Sequence, residues 1–348
     1  MFVQAAMKIC HLSILGAGLI FASGCHTNDE TEEPVQLSSI EQLLSNGSAD
    51  ACALYDTTQF PNHQKYICVA DNGYSYQVDI PAHGEIETVV MILHSSKSDP
   101  YETRGMLAAN TDSTDFHSAL IIYPHAKSYG FGGLVSATLW NGSGEREAGD
   151  NGCCVNNGLS DREFISGLVR EAKIALPQQP LHLVGLSNGG MLAFDLAYNT
   201  QLDVETYFVV VGSDQTRTRN NVFVASNMVL MAIKDDEVIP YYGGMMDLGS
   251  NTELLAHINA DNDYVWAPPF TETVESLLIM NKCARELPNS YTSALAQAVV
   301  TEYQCEYGAV ATFEMESGGH RLGSGSLLDR TAQRRDVIGY IGKVIYQH

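Results

Sequence analysis

At 348 residues, 45% of them hydrophobic, the chain can bury one large core or two smaller ones. Its 41 acidic against 19 basic residues give a net charge of −22, which repels nucleic-acid phosphates and anionic lipid surfaces and argues against both as partners. Eleven prolines and thirty glycines are ordinary usage, which excludes fibrous and low-complexity proteins.

Residues 1–25 read as a signal peptide. From Met7, one lysine is followed by an apolar stretch too short to span a bilayer comfortably, ending in Ala22-Ser23-Gly24-Cys25. Small residues before a cysteine resemble a bacterial lipobox, in which Cys25 is lipidated and becomes the mature N-terminus. Leucine is usual where Ala22 stands, so an ordinary secretory cleavage nearby is the alternative. Either way the chain is expected to be exported, as an outer-membrane or cell-surface lipoprotein or as a periplasmic or secreted protein. It would touch a membrane only through the lipid. Residues 26–50 are polar, acidic and without periodicity, a disordered tether. Residues 51–348 are expected to form a single domain.

Beyond Cys10 and Cys25, six cysteines remain: Cys52, Cys68, Cys153, Cys154, Cys283 and Cys305. In an exported protein they favour disulfides. Proximity suggests Cys52–Cys68 and Cys283–Cys305, leaving Cys153 and Cys154 to each other or to other partners. No close C-x-x-C pair is present, so no metal is expected.

Within the domain, the stretch at 74–80 alternates polar and apolar residues, as a half-exposed strand does. Continuous apolar runs at 87–94, 118–124, 181–187, 206–213 and 227–233 read as strands buried on both faces, with another strand at 309–315. Helical spacing appears at 161–176, where Phe164, Ile165, Leu168 and Val169 share a face, at 189–200, and in the basic closing segment 330–348. Strands alternating with helices imply an α/β protein with a mostly parallel central sheet and helices on both faces.

Residues 183–191 read LVGLSNGGM, at a strand's carboxyl end and a helix's start. There Ser187 is either a helix cap or a nucleophile on a tight elbow flanked by Gly185 and Gly189, in the pattern G-x-S-x-G. A serine hydroxyl needs a histidine to take its proton and a carboxylate to orient that histidine. Downstream, the strand 227–233 runs into Asp235, Asp236 and Glu237, and the strand 309–315 leads to His320 in Gly-Gly-His. Serine, acid and histidine thus follow in the α/β-hydrolase order, each after a strand. The other histidines lack such context, except His94, which ends a strand and enters the loop that supplies an oxyanion donor.

These blocks, with LWNGS…NGCC, DDEVIPYYGG and NKC…YQC, resemble exported esterases of the poly(3-hydroxybutyrate) depolymerase and feruloyl or acetylxylan esterase type (carbohydrate esterase family one) over roughly residues 74–348. The resemblance implies an α/β-hydrolase fold and a serine esterase with Ser187 as nucleophile, Asp236 as acid, Asp235 as the fallback acid, and His320 as base. The substrate would be a carboxylic ester, polymeric in some members, and no cofactor would be needed. Oxyanion donors are expected at the backbone N–H groups of Asn188 and Ser96, and Trp140 is a candidate substrate contact in the acyl pocket, with a core role as the alternative. The chain departs from the family at Ser95, where glycine is usual, and after His320, where Arg321-Leu322-Gly323 replaces Thr-Trp-Pro-Gly. Ser95 must therefore adopt a conformation open to any residue, or the oxyanion hole is altered. Those departures motivate a second reading, a non-catalytic surface lipoprotein that keeps the fold. A lipase or peptidase with the same triad is a third.

Overall fold

The computed structural model describes residues 52–54, 63–70, 73–82, 84–110, 116–131, 135–140, 161–216, 226–247, 266–284, 288–293, 298–322 and 332–346, all within one unit, Gln36–His348. In chain order the elements are β1 (Ala53–Leu54), β2 (His63–Val69), β3 (Ser75–Pro81), β4 (Thr88–Leu93), α1 (Pro100–Asn110), β5 (Ala119–His125), β6 (Ser128–Phe131), β7 (Val135–Thr138), α2 (Asp161–Ala175), β8 (Leu181–Leu186) and α3 (Asn188–Asn199). There follow β9 (Thr206–Val210), β10 (Asn227–Ile233), β11 (Gly244–Met245), β12 (Trp266–Ala267), α4 (Phe270–Met280), β13 (Asn289–Thr292), β14 (Val299–Gln304), β15 (Ala309–Met315) and α5 (Ala332–Ile345).

The main sheet has the order β1-β2-β3-β5-β4-β8-β9-β10-β15-β14-β13. Its centre, β5-β4-β8-β9-β10-β15, is parallel throughout. β3 runs antiparallel to β5, and β14 antiparallel to β15. The central strands are apolar runs because both their faces are covered: all six residues of β4 are buried. Alternate residues feed two cores. Met91, Leu183, Val209 and Leu230 pack with α2, α3 and α4 on one face. Ile92, Val184, Phe208 and Met231 pack with α1 and α5 on the other.

The chain leaves β4 for β5 on one side and returns to β8 on the other. The strand order therefore reverses between β4 and β8, where ligands collect in open α/β sheets. This order, the antiparallel β3 and the strand–turn–helix at β8 are those of the α/β-hydrolase fold.

Both disulfides suggested by proximity form, Cys52–Cys68 and Cys283–Cys305. They join β1's approach to β2, and the end of α4 to the end of β14, near the two margins of the sheet. Cys25, Cys153 and Cys154, the signal segment and the tether lie outside the described residues. Among the described residues, no helix is long and apolar enough to cross a membrane.

Candidate active site

β8 ends at Leu186 and α3 begins at Asn188, leaving Ser187 alone in the turn with φ 51° and ψ −110°. An L-residue with a side chain rarely adopts this conformation and needs surrounding structure to hold it. Here the Ser187 N–H donates to the Val210 carbonyl at 2.8 Å, and the Ser187 carbonyl accepts from the Met191 N–H at 3.1 Å. The turn closes only without side chains nearby: a Cβ on Gly185 would lie 2.4 Å from the Gly189 carbonyl oxygen, and one on Gly189 would lie 2.5 Å from that of Leu93. Ser187 stands at the cap position, yet its side chain makes no capping hydrogen bond.

Its hydroxyl is turned elsewhere. Ser187 Oγ lies 2.8 Å from His320 Nε2, and His320 Nδ1 lies 2.9 and 3.1 Å from the two carboxylate oxygens of Asp236. The Asp236 side chain is 3% exposed, and its Oδ1 also accepts the N–H groups of Val238 and Ile239, each at 2.8 Å. A carboxylate pinned in this way is an acceptor for Nδ1–H, which leaves Nε2 with its lone pair toward Ser187.

Asp235 does not reach the imidazole. Its Oδ1 accepts from the N–H groups of Gly318 and Gly319, both at 3.0 Å, and Glu237 Oε2 accepts from the His320 N–H at 2.9 Å. From the other side, the fully buried Arg334 of α5 donates Nε and Nη2 to the Arg321 carbonyl at 3.1 and 2.8 Å.

Across the elbow, Asn188 opens α3 and Ser96 lies in the turn after β4. Neither backbone N–H has an acceptor among the described residues. First-turn N–H groups of a helix are unpaired by construction. Ser95 needs no glycine-like backbone, because the left-handed residue in this turn is Lys97 with φ 61°. The Lys97 N–H donates to the Thr138 carbonyl at 2.8 Å, and Thr138 Oγ1 donates to the Ser98 carbonyl at 2.7 Å, fixing the loop from β7.

Buried His94 anchors the same loop. Its Nδ1 lies 2.7 Å from the Ser95 carbonyl, and its Nε2 accepts the Ala126 N–H at 3.0 Å. These partners define a neutral tautomer with the proton on Nδ1, and desolvation lowers the pKa to about 4. Trp140, a candidate wall of the acyl pocket, is fully buried instead. Its Nε1 donates to the His94 carbonyl at 2.9 Å, its ring rests 4.9 Å from the His94 ring, and its backbone is bonded to the Asn188 side chain. Buried in this way, Trp140 braces the two loops, in keeping with the core role.

Beside the acid loop, a small pocket of about 30 Å³ is lined by Asp236, Ile239, Tyr241 and Phe270 among others. Neither Ser187 nor His320 lines it. Tyr242, Met245 and Trp266 are exposed on the adjoining segment and the β11–β12 pair, while buried Ala267 of β12 and Met246 just after β11 pack with Met191 of α3.

No protein-family model matches the chain, and no curated protein sequence does. Among solved structures, it is similar to a carboxylesterase of Bacillus cereus, at 10% identity and TM-score 0.43 over 78% of this chain and 95% of that one. It is also similar to a carboxylesterase of Mesorhizobium loti, at 14% identity and TM-score 0.44 over 77% and 94%. A third is a Xanthomonas campestris protein described as an α/β serine hydrolase without a lid, at 9% identity and TM-score 0.39 over 84% and 94%. The fold assignment rests on strand order and on which loops leave which strands.

Sequence reasoning missed the partners of Asp235 and Glu237, and the use of the Asn188 side chain. The visible signal was the acidic run Asp-Asp-Glu before a loop, to be matched to the unpaired N–H groups of Gly-Gly-His. The Asn188 side chain gave none.

Proposed function

We propose that this protein is a serine hydrolase acting on carboxylic esters. The observation that carries this reading is the unbroken relay Ser187 Oγ, His320 Nε2, His320 Nδ1, Asp236, with both links within hydrogen-bond reach. Ser187 attacks the ester carbonyl as His320 Nε2 takes its proton. Asp236 holds the imidazole in the required tautomer and stabilises the imidazolium. The N–H groups of Asn188 and Ser96 receive the developing oxyanion. His320 then returns the proton to the leaving alkoxide. Water, activated by the same histidine, releases the acid and frees Ser187.

The finer reading is a polymeric or polysaccharide-borne ester, of the polyhydroxybutyrate or feruloyl and acetyl kinds. Exposed Met245 and Trp266, paired across β11 and β12, and exposed Tyr242 near the acid loop support it, since exposed apolar side chains beside a cleft favour apolar chains. Export is part of the same proposal and is favoured by the two disulfides, which persist in oxidising compartments. Lipidation at Cys25 is its anchor, and an unmodified mature N-terminus in mass spectrometry would remove it.

The deciding measurement is p-nitrophenyl acetate turnover by the wild type, Ser187→Ala and His320→Ala, followed by a panel of hydroxybutyrate, feruloyl and acetyl esters. Each substitution should lower kcat by on the order of 10⁴-fold or more. Turnover untouched by either would reject the relay, and an inert wild type would favour a non-catalytic lipoprotein.

A further inference from the structure

The parallel ladder between β10 and β15 ends at Ile233 and Met315, with one last backbone bond from the Lys234 N–H to the Met315 carbonyl at 2.9 Å. Beyond it, side chains take over the pairing. Asp235 accepts from the Gly318 and Gly319 N–H groups, Asp236 faces the His320 ring, and Glu237 accepts from the His320 N–H. Three consecutive carboxylates thus grip three consecutive residues. Gly319 has φ 63°, and a Cβ there would lie 2.8 Å from Glu237 Oε2, so the loop's glycine suits both its backbone and the close carboxylate.

We propose that Asp235 and Glu237 are positioning residues that hold the 318–320 loop in register, so that His320 Nε2 stays within reach of Ser187 Oγ. The proposal rests on the ester-hydrolase reading of Ser187 and His320. Hydrogen bonds from backbone N–H groups to ionised carboxylates are the stronger kind, and here they act on the backbone that carries the reacting ring. A displacement of about 1 Å in such a ring costs on the order of 10²-fold in rate. Both carboxylates are exposed, so they add little to global stability. That separates a positioning role from a structural one.

The test compares Asp235→Ala/Glu237→Ala with Asp235→Asn/Glu237→Gln, which keep an acceptor oxygen without the charge. The readouts are kcat and KM on p-nitrophenyl acetate, the rate at which a fluorophosphonate labels Ser187, and the urea midpoint. The alanine pair should lower kcat and the labelling rate about 10- to 100-fold, with KM within about twofold and the midpoint unchanged. The amide pair should recover most of that loss. Wild-type rates in the alanine pair overturn the proposal, as does a loss that tracks a lowered midpoint. Equal damage in both pairs overturns it too, because the amides keep the acceptor oxygens by which the loop is held. If the wild type hydrolyses no ester but Ser187 still labels, the labelling rates decide the clamp alone. If Ser187 neither turns over nor labels, the hydrolase reading itself fails and takes this one with it.

Discussion

Asn188 and Trp140 exchange two hydrogen bonds. The Trp140 N–H donates to Asn188 Oδ1 at 2.7 Å, and Asn188 Nδ2 donates to the Trp140 carbonyl at 3.1 Å. A side-chain amide here stands in for a strand's backbone, and it fixes the residue whose own N–H faces the proposed oxyanion. Asn188→Ala should leave two buried backbone groups unpaired, at a cost of about 2–4 kcal/mol. It should also lower kcat on the order of 10²-fold by letting the elbow turn. Urea unfolding and ester turnover measure the two effects, and an unshifted midpoint would contradict the first.

Gly189→Ala should be far more severe. The added Cβ meets the backbone oxygens of Leu93 and His94, at 2.5 and 2.8 Å, and neither is the free end of a side chain. Overpacking against backbone costs about 3 kcal/mol or more, and here it also drives α3 away from the β4 loop. Soluble yield and thermal unfolding would register it. A stable variant that keeps its activity would mean that the elbow and that loop can separate.

The elbow could be read from sequence because its glycines, its apolar strand and its helix all lie within a few residues of one another. The strands at 87–94, 118–124 and 227–233 could be read because continuous apolar runs have few other uses. Other elements were hidden by polar residues on inward positions. β2 buries His63 and Lys65, and α1 buries Arg104 against Asp79 beside Met106 and Leu107, so polar residues interrupt the apolar face of each. α4 carried a readable stripe, Val274, Leu277 and Leu278, but no motif drew attention to it. At the site, Asp235 and Asp236 are chemically alike in sequence. Only the direction in which the turn aims each side chain separates them. Trp140 was undecided for a similar reason, since an aromatic suits a cleft wall and a buried brace equally well.

Acid should destabilise this protein through His94. Unfolded, a histidine takes its proton near pH 6.5; folded, burial holds His94 at about 4. Between those values the unfolded chain binds a proton that the folded one does not. The stability is therefore complete above about pH 6.5 and falls as the pH drops toward 4, by at most about 3 kcal/mol. Burial lowers His63 and His125 as well, adding in the same sense. Urea midpoints at pH 7.5 and 5 should differ, and His94→Gln should flatten that difference. An undiminished slope in the variant would assign the dependence to other groups.

Arg104 and Asp79 form a two-point ion pair with both side chains fully buried. Arg104→Met alone should cost about 3–5 kcal/mol, because it strands the carboxylate away from water. Adding Asp79→Leu should recover most of that loss. A double-mutant cycle by urea unfolding reads the difference, and equal losses in the single and double variants would mean that the pair's charges matter less than its shape.

The outermost described strands, β1 and β13, are two and four residues long, and a disulfide is set close behind each. Short edge strands are one way in which a sheet limits joining to the sheet of a neighbouring copy. This matters most where copies are crowded. The same stapled margins that stiffen one molecule would let many sit side by side without fusing.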